Sequence, residues 1–69
     1  MITERDKEIF DQIIEFKNEK GYAPTLREIC KLCFISLPTA RRHLVKLCEA
    51  GYIELTPRIS RSIVIKIHV

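Results

Sequence analysis

The chain has 69 residues, of which 46% are hydrophobic and 30% are charged, so it has room for one small domain with a modest core. Its two glycines and three prolines are too few for a disordered linker. No apolar run approaches the roughly 20 residues that cross a bilayer. The charged start MITERDKEIF is not a signal peptide. The net charge is +3, but residues 1–20 sum to −2 and residues 21–69 to +5, which favours an anionic partner such as nucleic acid, with a membrane surface or an acidic protein as competitors.

Helical patterns occupy the first 50 residues. Thr3 with Asp6 fits an N-cap and first turn, and Gly21 is the expected stop of that helix. The signature TLRE begins a second helix. A third helix follows the short segment FIS, with Ser36 as its N-cap and Pro38 in its first turn. The predicted helices span about residues 4–20, 26–33 and 37–49.

The periodicity changes after Gly51. The segments YIEL and SIVIKIHV are rich in β-branched and aromatic residues, as strands are, and the intervening TPRISR is polar and basic. We expect a β-hairpin at about residues 52–68. The fold class is therefore mainly α with a small β-hairpin: a single three-helix winged helix-turn-helix domain over residues 1–69, with helix 3 in the recognition position.

The outer face of helix 3 is basic near its start. At about 100° per residue, Leu37, Ala40, Leu44, Leu47 and Cys48 form its apolar stripe. Arg42 lies about opposite that stripe, Arg41 and His43 lie at its two edges, and the other outward positions are Pro38, Thr39, Val45 and Lys46. A slim first turn followed by arginine suits a helix that enters the major groove, where arginine binds guanine O6 and N7. Arg58 and Arg61 in the hairpin loop could reach the flanking backbone or a minor groove.

A basic helix face is often only solvated, and a winged helix can also bind proteins. The alternative function is therefore a protein-interaction module, such as an anti-repressor or an assembly subunit. Steep weakening by salt would distinguish DNA binding from protein binding.

Four segments together resemble the N-terminal DNA-binding domain of LexA-type repressors, a winged helix-turn-helix. They are ITERDKEIFDQI, GYAPTLREI, HLVKLCEAGYIE and SRSIVI, in the family's order over nearly the whole chain. The resemblance implies sequence-specific binding to a double-stranded operator, repression of transcription, and a bacterial or phage-type, cytoplasmic, nucleoid-associated protein. The resemblance implies recognition-helix contacts by Ser36, Pro38, Thr39, Arg41 and Arg42. To these we add His43 at the edge of helix 3 and Lys46 on its outer face. The implied backbone and wing contacts are Thr25, Arg27, Arg58, Ser60 and Arg61.

Two departures from the family pattern matter. The turn LCFIS lacks the family's usual glycine and is one residue shorter, so the start of helix 3 is expected to be rotated or delayed. The family's second half, a self-cleaving serine-lysine protease domain that also dimerises, would begin where this chain ends. We therefore expect no autocleavage by this polypeptide, and at most a monomer or weak homodimer.

The remaining candidates are cysteine, histidine and tyrosine. The odd number of cysteines fits a reducing cytosol. All three, Cys30, Cys33 and Cys48, lie on apolar sides of helices, so we interpret them as core residues rather than zinc or redox sites. His43 is interpreted as a boundary residue that packs or touches phosphate, against a metal or switching role. Tyr22 and Tyr52 are interpreted as packing residues next to turns. No enzyme constellation, cofactor, metal or small-molecule substrate is predicted.

Overall fold

Three helices and a short antiparallel hairpin make up the fold, as a computed structural model describes it for residues 2–56 and 58–67. The elements are α1 (Glu4–Lys20), α2 (Leu26–Cys33), α3 (Leu37–Glu49), β1 (Ile53–Glu54) and β2 (Val64–Ile65). The helices lie where the sequence predicts them, and the winged helix-turn-helix fold class is confirmed. In the described part of the chain, no helix is long and apolar enough to cross a membrane.

Capping boxes start the first two helices. Thr3 Oγ1 accepts from the Asp6 amide at 3.2 Å, and Asp6 Oδ2 accepts from the Thr3 amide at 2.8 Å. Thr25 and Glu28 repeat this exchange at the start of α2, at 3.1 and 2.8 Å. Each box satisfies two backbone donors that a helix start leaves without partners, so local sequence alone fixes both starts.

The turn between α2 and α3 uses a left-handed residue without glycine. Phe34 has φ 56° and ψ 48°, and the Ile35 amide donates to Cys30 O at 3.1 Å, which closes the end of α2. α3 begins at Leu37 with Ser36 at its N-cap. Because Ala40, Leu44 and Leu47 are buried as the apolar stripe predicts, the expected rotation or delay of α3 is wrong.

One core joins all five elements. Ile9, Phe10 and Ile13 of α1 pack with Ile29 of α2, with the α3 stripe and with Ile53 and Ile65 of the hairpin. Phe10 meets the Tyr52 ring edge to face, with centroids 5.2 Å apart, which confirms Tyr52 as a packing residue.

The cysteines belong to this core. Cys33 is buried within it, and Cys30 and Cys48 pack against it, which confirms the predicted packing role. Burial raises the pKa of the Cys33 thiol and of the Cys48 thiol, so both are neutral at neutral pH. Across residues 2–56 and 58–67, no three His, Cys, Asp or Glu side chains are grouped closely enough to hold a metal ion.

The hairpin strands are shorter than predicted. Only Ile53 with Ile65 and Glu54 with Val64 pair, whereas the sequence predicted strands across YIEL and SIVIKIHV. Toward the loop, Ser62 Oγ accepts from the Thr56 amide at 3.1 Å and donates to Thr56 O at 3.0 Å, so a side chain replaces the backbone ladder. Residues 57 and 68 of the predicted hairpin, and residue 69 after it, lie outside the described residues. We call the hairpin and its loop, residues 53–65, the wing.

Candidate nucleic-acid interface

The start of α3 presents a chain of hydrogen-bonded polar side chains. Ser36 Oγ donates to Thr39 Oγ1 at 3.0 Å, and Arg42 Nη2 donates to the same oxygen at 3.4 Å. Ser36, Pro38, Arg41 and Arg42 are exposed, and Thr39 is partly exposed. Five of the predicted recognition residues therefore lie on a solvent-facing strip, and hydrogen bonds connect Ser36, Thr39 and Arg42.

This arrangement leaves donors available to a ligand. Thr39 Oγ1 accepts from both neighbours, so its own hydroxyl hydrogen remains free to donate. The Arg42 guanidinium has five N–H donors and uses one of them here, which leaves enough for a two-bond contact with a base edge.

His43 and Lys46 lie against the start of α1. His43 Nδ1 is hydrogen-bonded to Asp6 Oδ1, and Lys46 Nζ is 3.8 Å from Asp6 Oδ2. The Asp6 side chain is fully buried and the His43 side chain is 16% exposed. The predicted boundary position of His43 is confirmed, and the structure gives both residues a partner that the sequence analysis missed.

Asp6 is ionised in this environment. Burial by itself raises the pKa of Asp6, but hydrogen bonds from His43 and Thr3, with the charge of Lys46, bring that pKa below its ordinary value. The capping signature made Asp6 visible as a first-turn acid. Its contact with His43 was not visible in the sequence, because the two residues are 37 positions apart and no local spacing encodes such a pair.

The start of α2 carries two more predicted contacts. Thr25 Oγ1 accepts from the Glu28 amide, which leaves its hydroxyl hydrogen free to donate. Arg27 is exposed. Both lie in the first turn of a helix, where backbone N–H groups favour an anion such as phosphate.

A groove of about 550 Å³ separates the start of α2, one side of α3 and the wing. Arg41 contributes from α3, Thr25 from α2, and Arg58 and Ser60 from the wing. The structure thus gathers predicted residues from three separate segments around one concave surface. Its apolar lining includes Leu44, Val45, Leu55, Ile59 and Ile63.

Arg61 also lines this groove, with its side chain 39% exposed, and it contacts other parts of the protein. Its guanidinium donates to Glu28 Oε1 at 2.8 Å and to Ala23 O at 3.1 Å, and it lies 4.5 Å from the centre of the Tyr22 ring. Tyr22 also meets Phe16 edge to face, which confirms its predicted packing role. The expected contact of Arg61 with DNA stays a prediction.

Four arginines beyond residue 20 are electrostatically available in the described part of the chain. Within residues 2–56 and 58–67, no ion pair includes Arg27, Arg41, Arg42 or Arg58. Two acids of the second part of the chain, Glu28 and Glu54, are paired with Arg61 and Lys66. The positive charge predicted for this part of the chain therefore resides mainly on unpaired arginines beside the groove and on α3.

Comparison with known proteins agrees with this geometry. The chain is 40% identical over 63 residues to LexA repressor 2 of Pseudomonas putida, 36% identical over 64 residues to the LexA repressor of Carboxydothermus hydrogenoformans, and 40% identical over 67 residues to that of Cupriavidus metallidurans. These matches cover 90%, 91% and 96% of this chain and 31% of each relative. The chain thus spans about a third of the length of the curated relatives it matches. The family model described as the LexA DNA binding domain matches residues 1–62. The chain therefore belongs to the LexA DNA-binding domain family.

Proposed function

We propose that this chain binds double-stranded DNA sequence-specifically and serves as the DNA-binding unit of a transcriptional repressor. The observation that carries the proposal is a set of arginines on α3 and around the groove that form no ion pair with any described residue, next to the Ser36–Thr39–Arg42 chain. Relatives named LexA repressor support the regulatory role.

In this proposal the first half of α3 enters the major groove. Arg42 is suited to bind guanine O6 and N7 through two hydrogen bonds, and Thr39 can donate its free hydroxyl hydrogen or contact a thymine methyl group. Ser36 and Pro38 keep the leading turn slim. Because these contacts reach base edges, they would supply sequence discrimination.

Phosphate contacts would come from the groove and from α2. Thr25, Arg27, Arg58 and Ser60 offer hydroxyl or guanidinium donors, with Arg41 beside them on α3. Such contacts fix the register of a protein on DNA and supply most of the salt-dependent affinity. His43 and Lys46 would assist from the edge of α3.

A protein-interaction module is the second candidate. One observation favours it: the Phe34 side chain is 92% exposed in the turn between α2 and α3, with exposed Leu32 nearby. Exposed aromatic side chains are enriched where proteins bind proteins. This surface lies in the turn and at the end of α2, apart from the groove residues of α2, α3 and the wing.

Salt separates the two candidates. We expect binding to a mixed duplex library at about 50 mM salt, and about 100-fold weaker binding at about 200 mM if roughly four phosphates are neutralised. Arg58→Ala should reduce the slope of log affinity against log salt by about 0.9, whereas Lys20→Ala, with the same charge change at the end of α1, should not. No retention at about 50 mM salt would contradict the proposal.

A further inference from the structure

Arg61 connects the wing to the start of α2 through several contacts at once. Both terminal nitrogens donate to Glu28, at 2.8 Å to Oε1 and 3.3 Å to Oε2. The Ala23 carbonyl accepts a further hydrogen bond, and the Tyr22 ring faces the guanidinium. We call these contacts with Tyr22, Ala23 and Glu28 the wing latch.

The wing is anchored in the core through Ile53, Ile63 and Ile65, whereas Leu55 and Ile59 of its loop are exposed. Its backbone ladder consists of two residue pairs, Ile53 with Ile65 and Glu54 with Val64. Arg61 itself has φ 58°, a left-handed conformation that side chains other than glycine adopt at a cost in energy. Such a conformation persists where surrounding contacts enforce it, and the wing latch supplies those contacts.

The latch also controls charge beside a proposed phosphate contact. Glu28 exchanges hydrogen bonds with Thr25, so its carboxylate lies within one turn of the Thr25 hydroxyl and of Arg27. The Thr25 amide and the Arg61 guanidinium hold the pKa of Glu28 below its ordinary value, so the carboxylate is charged at neutral pH. Without Arg61, that charge would repel an approaching phosphate.

We propose that Arg61 is a positioning residue for DNA binding, which acts through Glu28 and holds the wing so that Arg58 and Ser60 face the same groove as Arg41. The proposal rests on the DNA-binding function proposed above. It differs from a direct phosphate contact by Arg61, because the partner of its guanidinium is a carboxylate of the same chain.

Glu28→Gln distinguishes a positioning role of Arg61 from direct phosphate binding by Arg61, because the two roles predict opposite changes in DNA affinity. Glutamine retains the capping box at the start of α2 but removes the charge that holds Arg61. If the latch positions the wing, DNA binding weakens about 3- to 10-fold, although a negative charge near DNA has been removed. If Arg61 binds phosphate directly, the same change releases Arg61 and removes repulsion, so binding tightens.

A matched control is Glu54→Gln, which makes the same charge change on the hairpin, where Glu54 pairs with Lys66 at 3.3 Å. Its affinity should stay equal or rise slightly. Combining Glu28→Gln with Arg61→Ala should weaken binding no more than Arg61→Ala alone, because both changes break one contact. Affinities are measured by fluorescence anisotropy on one duplex, at a temperature where circular dichroism shows every variant folded.

Hydrogen exchange of the free protein supplies a readout that needs no DNA. The Thr56 and Ile59 amides are hydrogen-bonded within the wing, so they should exchange several-fold faster in Glu28→Gln and at unchanged rates in Glu54→Gln. Tighter DNA binding by Glu28→Gln, or unchanged exchange of these amides, would overturn the proposal. If the unmodified chain binds no duplex at all, the proposed function fails, and the exchange rates alone decide whether Arg61 positions the wing.

Discussion

Asp6 shows how a single residue orients the recognition helix. Its carboxylate completes the N-cap of α1 through Thr3 and accepts from His43 on α3. With Lys46 nearby, three positively polarised groups from two helices surround one buried acid. The rotation of α3 about its own axis therefore depends on a residue that lies on α1.

Asp6→Asn should destabilise the protein at neutral pH. The substitution keeps a hydrogen-bond acceptor but loses the charge, so we expect a loss of about 1–3 kcal/mol in the free energy of unfolding at pH 7. Because the folded-state pKa of Asp6 is lowered, its contribution is present above the unfolded-state pKa of about 3.9 and is lost as pH falls through the folded-state pKa. The difference between the two proteins should therefore narrow below about pH 4.

Urea unfolding at pH 7 and at pH 3 measures this effect. Asp11→Asn is the control, because Asp11 makes only an exposed pair with Lys7 at 3.9 Å and should cost less than about 0.5 kcal/mol. An equal loss from Asp6→Asn at both pH values would show that its charge contributes nothing.

Among the elements, the turn between α2 and α3 departs most from the family pattern and yet starts α3 at the expected residue. Phe34 adopts the left-handed conformation that glycine would adopt more easily, and its side chain makes little contact with the core. The turn therefore stores strain without changing the direction of the recognition helix. The absence of glycine led us to expect a rotated or delayed α3, which is wrong, since the Cys30 carbonyl still accepts from Ile35 and closes α2.

Phe34→Gly should stabilise the protein. Relief of the left-handed strain, about 1–2 kcal/mol, exceeds the added flexibility of glycine in the unfolded chain, about 0.5–1 kcal/mol, and little buried area is lost. We expect a gain of about 0.5–1 kcal/mol in urea unfolding at neutral pH. Phe34→Ala is the matched control, because it removes the ring and keeps the strain. A gain of the same size from Phe34→Ala would mean that the exposed ring, rather than the backbone, destabilises the turn.

Across the whole molecule, predictability depends on how far apart the interacting residues are in the chain. Helix periodicity and the capping boxes at Thr3 and Thr25 predicted the three helices. The helical rotation of about 100° per residue predicted the exposed side of α3. Both signals are local in the sequence. The hairpin was predicted but its strands were predicted too long, because Ser62 replaces the ladder with its own hydroxyl. The Arg61 contacts with Glu28, 33 residues away, were missed because they depend on the assembled fold.

Part of the interface could be located from the sequence, and part of it remains a proposal. Composition located positive charge in the second part of the chain, and the folded molecule assigns it to unpaired arginines beside the groove and on α3. The direct contacts of the recognition residues and a weak homodimer both stay predictions.

Selection of bound sequences from random duplex DNA, carried out with the unmodified chain and with Arg42→Ala, tests most directly whether the outer face of α3 reads DNA. The unmodified chain should enrich one sequence motif. Arg42→Ala should lose about tenfold discrimination at one position of that motif, as expected when a bidentate contact worth about 1–3 kcal/mol is removed, and Lys20→Ala should lose none. No enrichment by the unmodified chain, or the same motif at full strength from Arg42→Ala, would contradict the account.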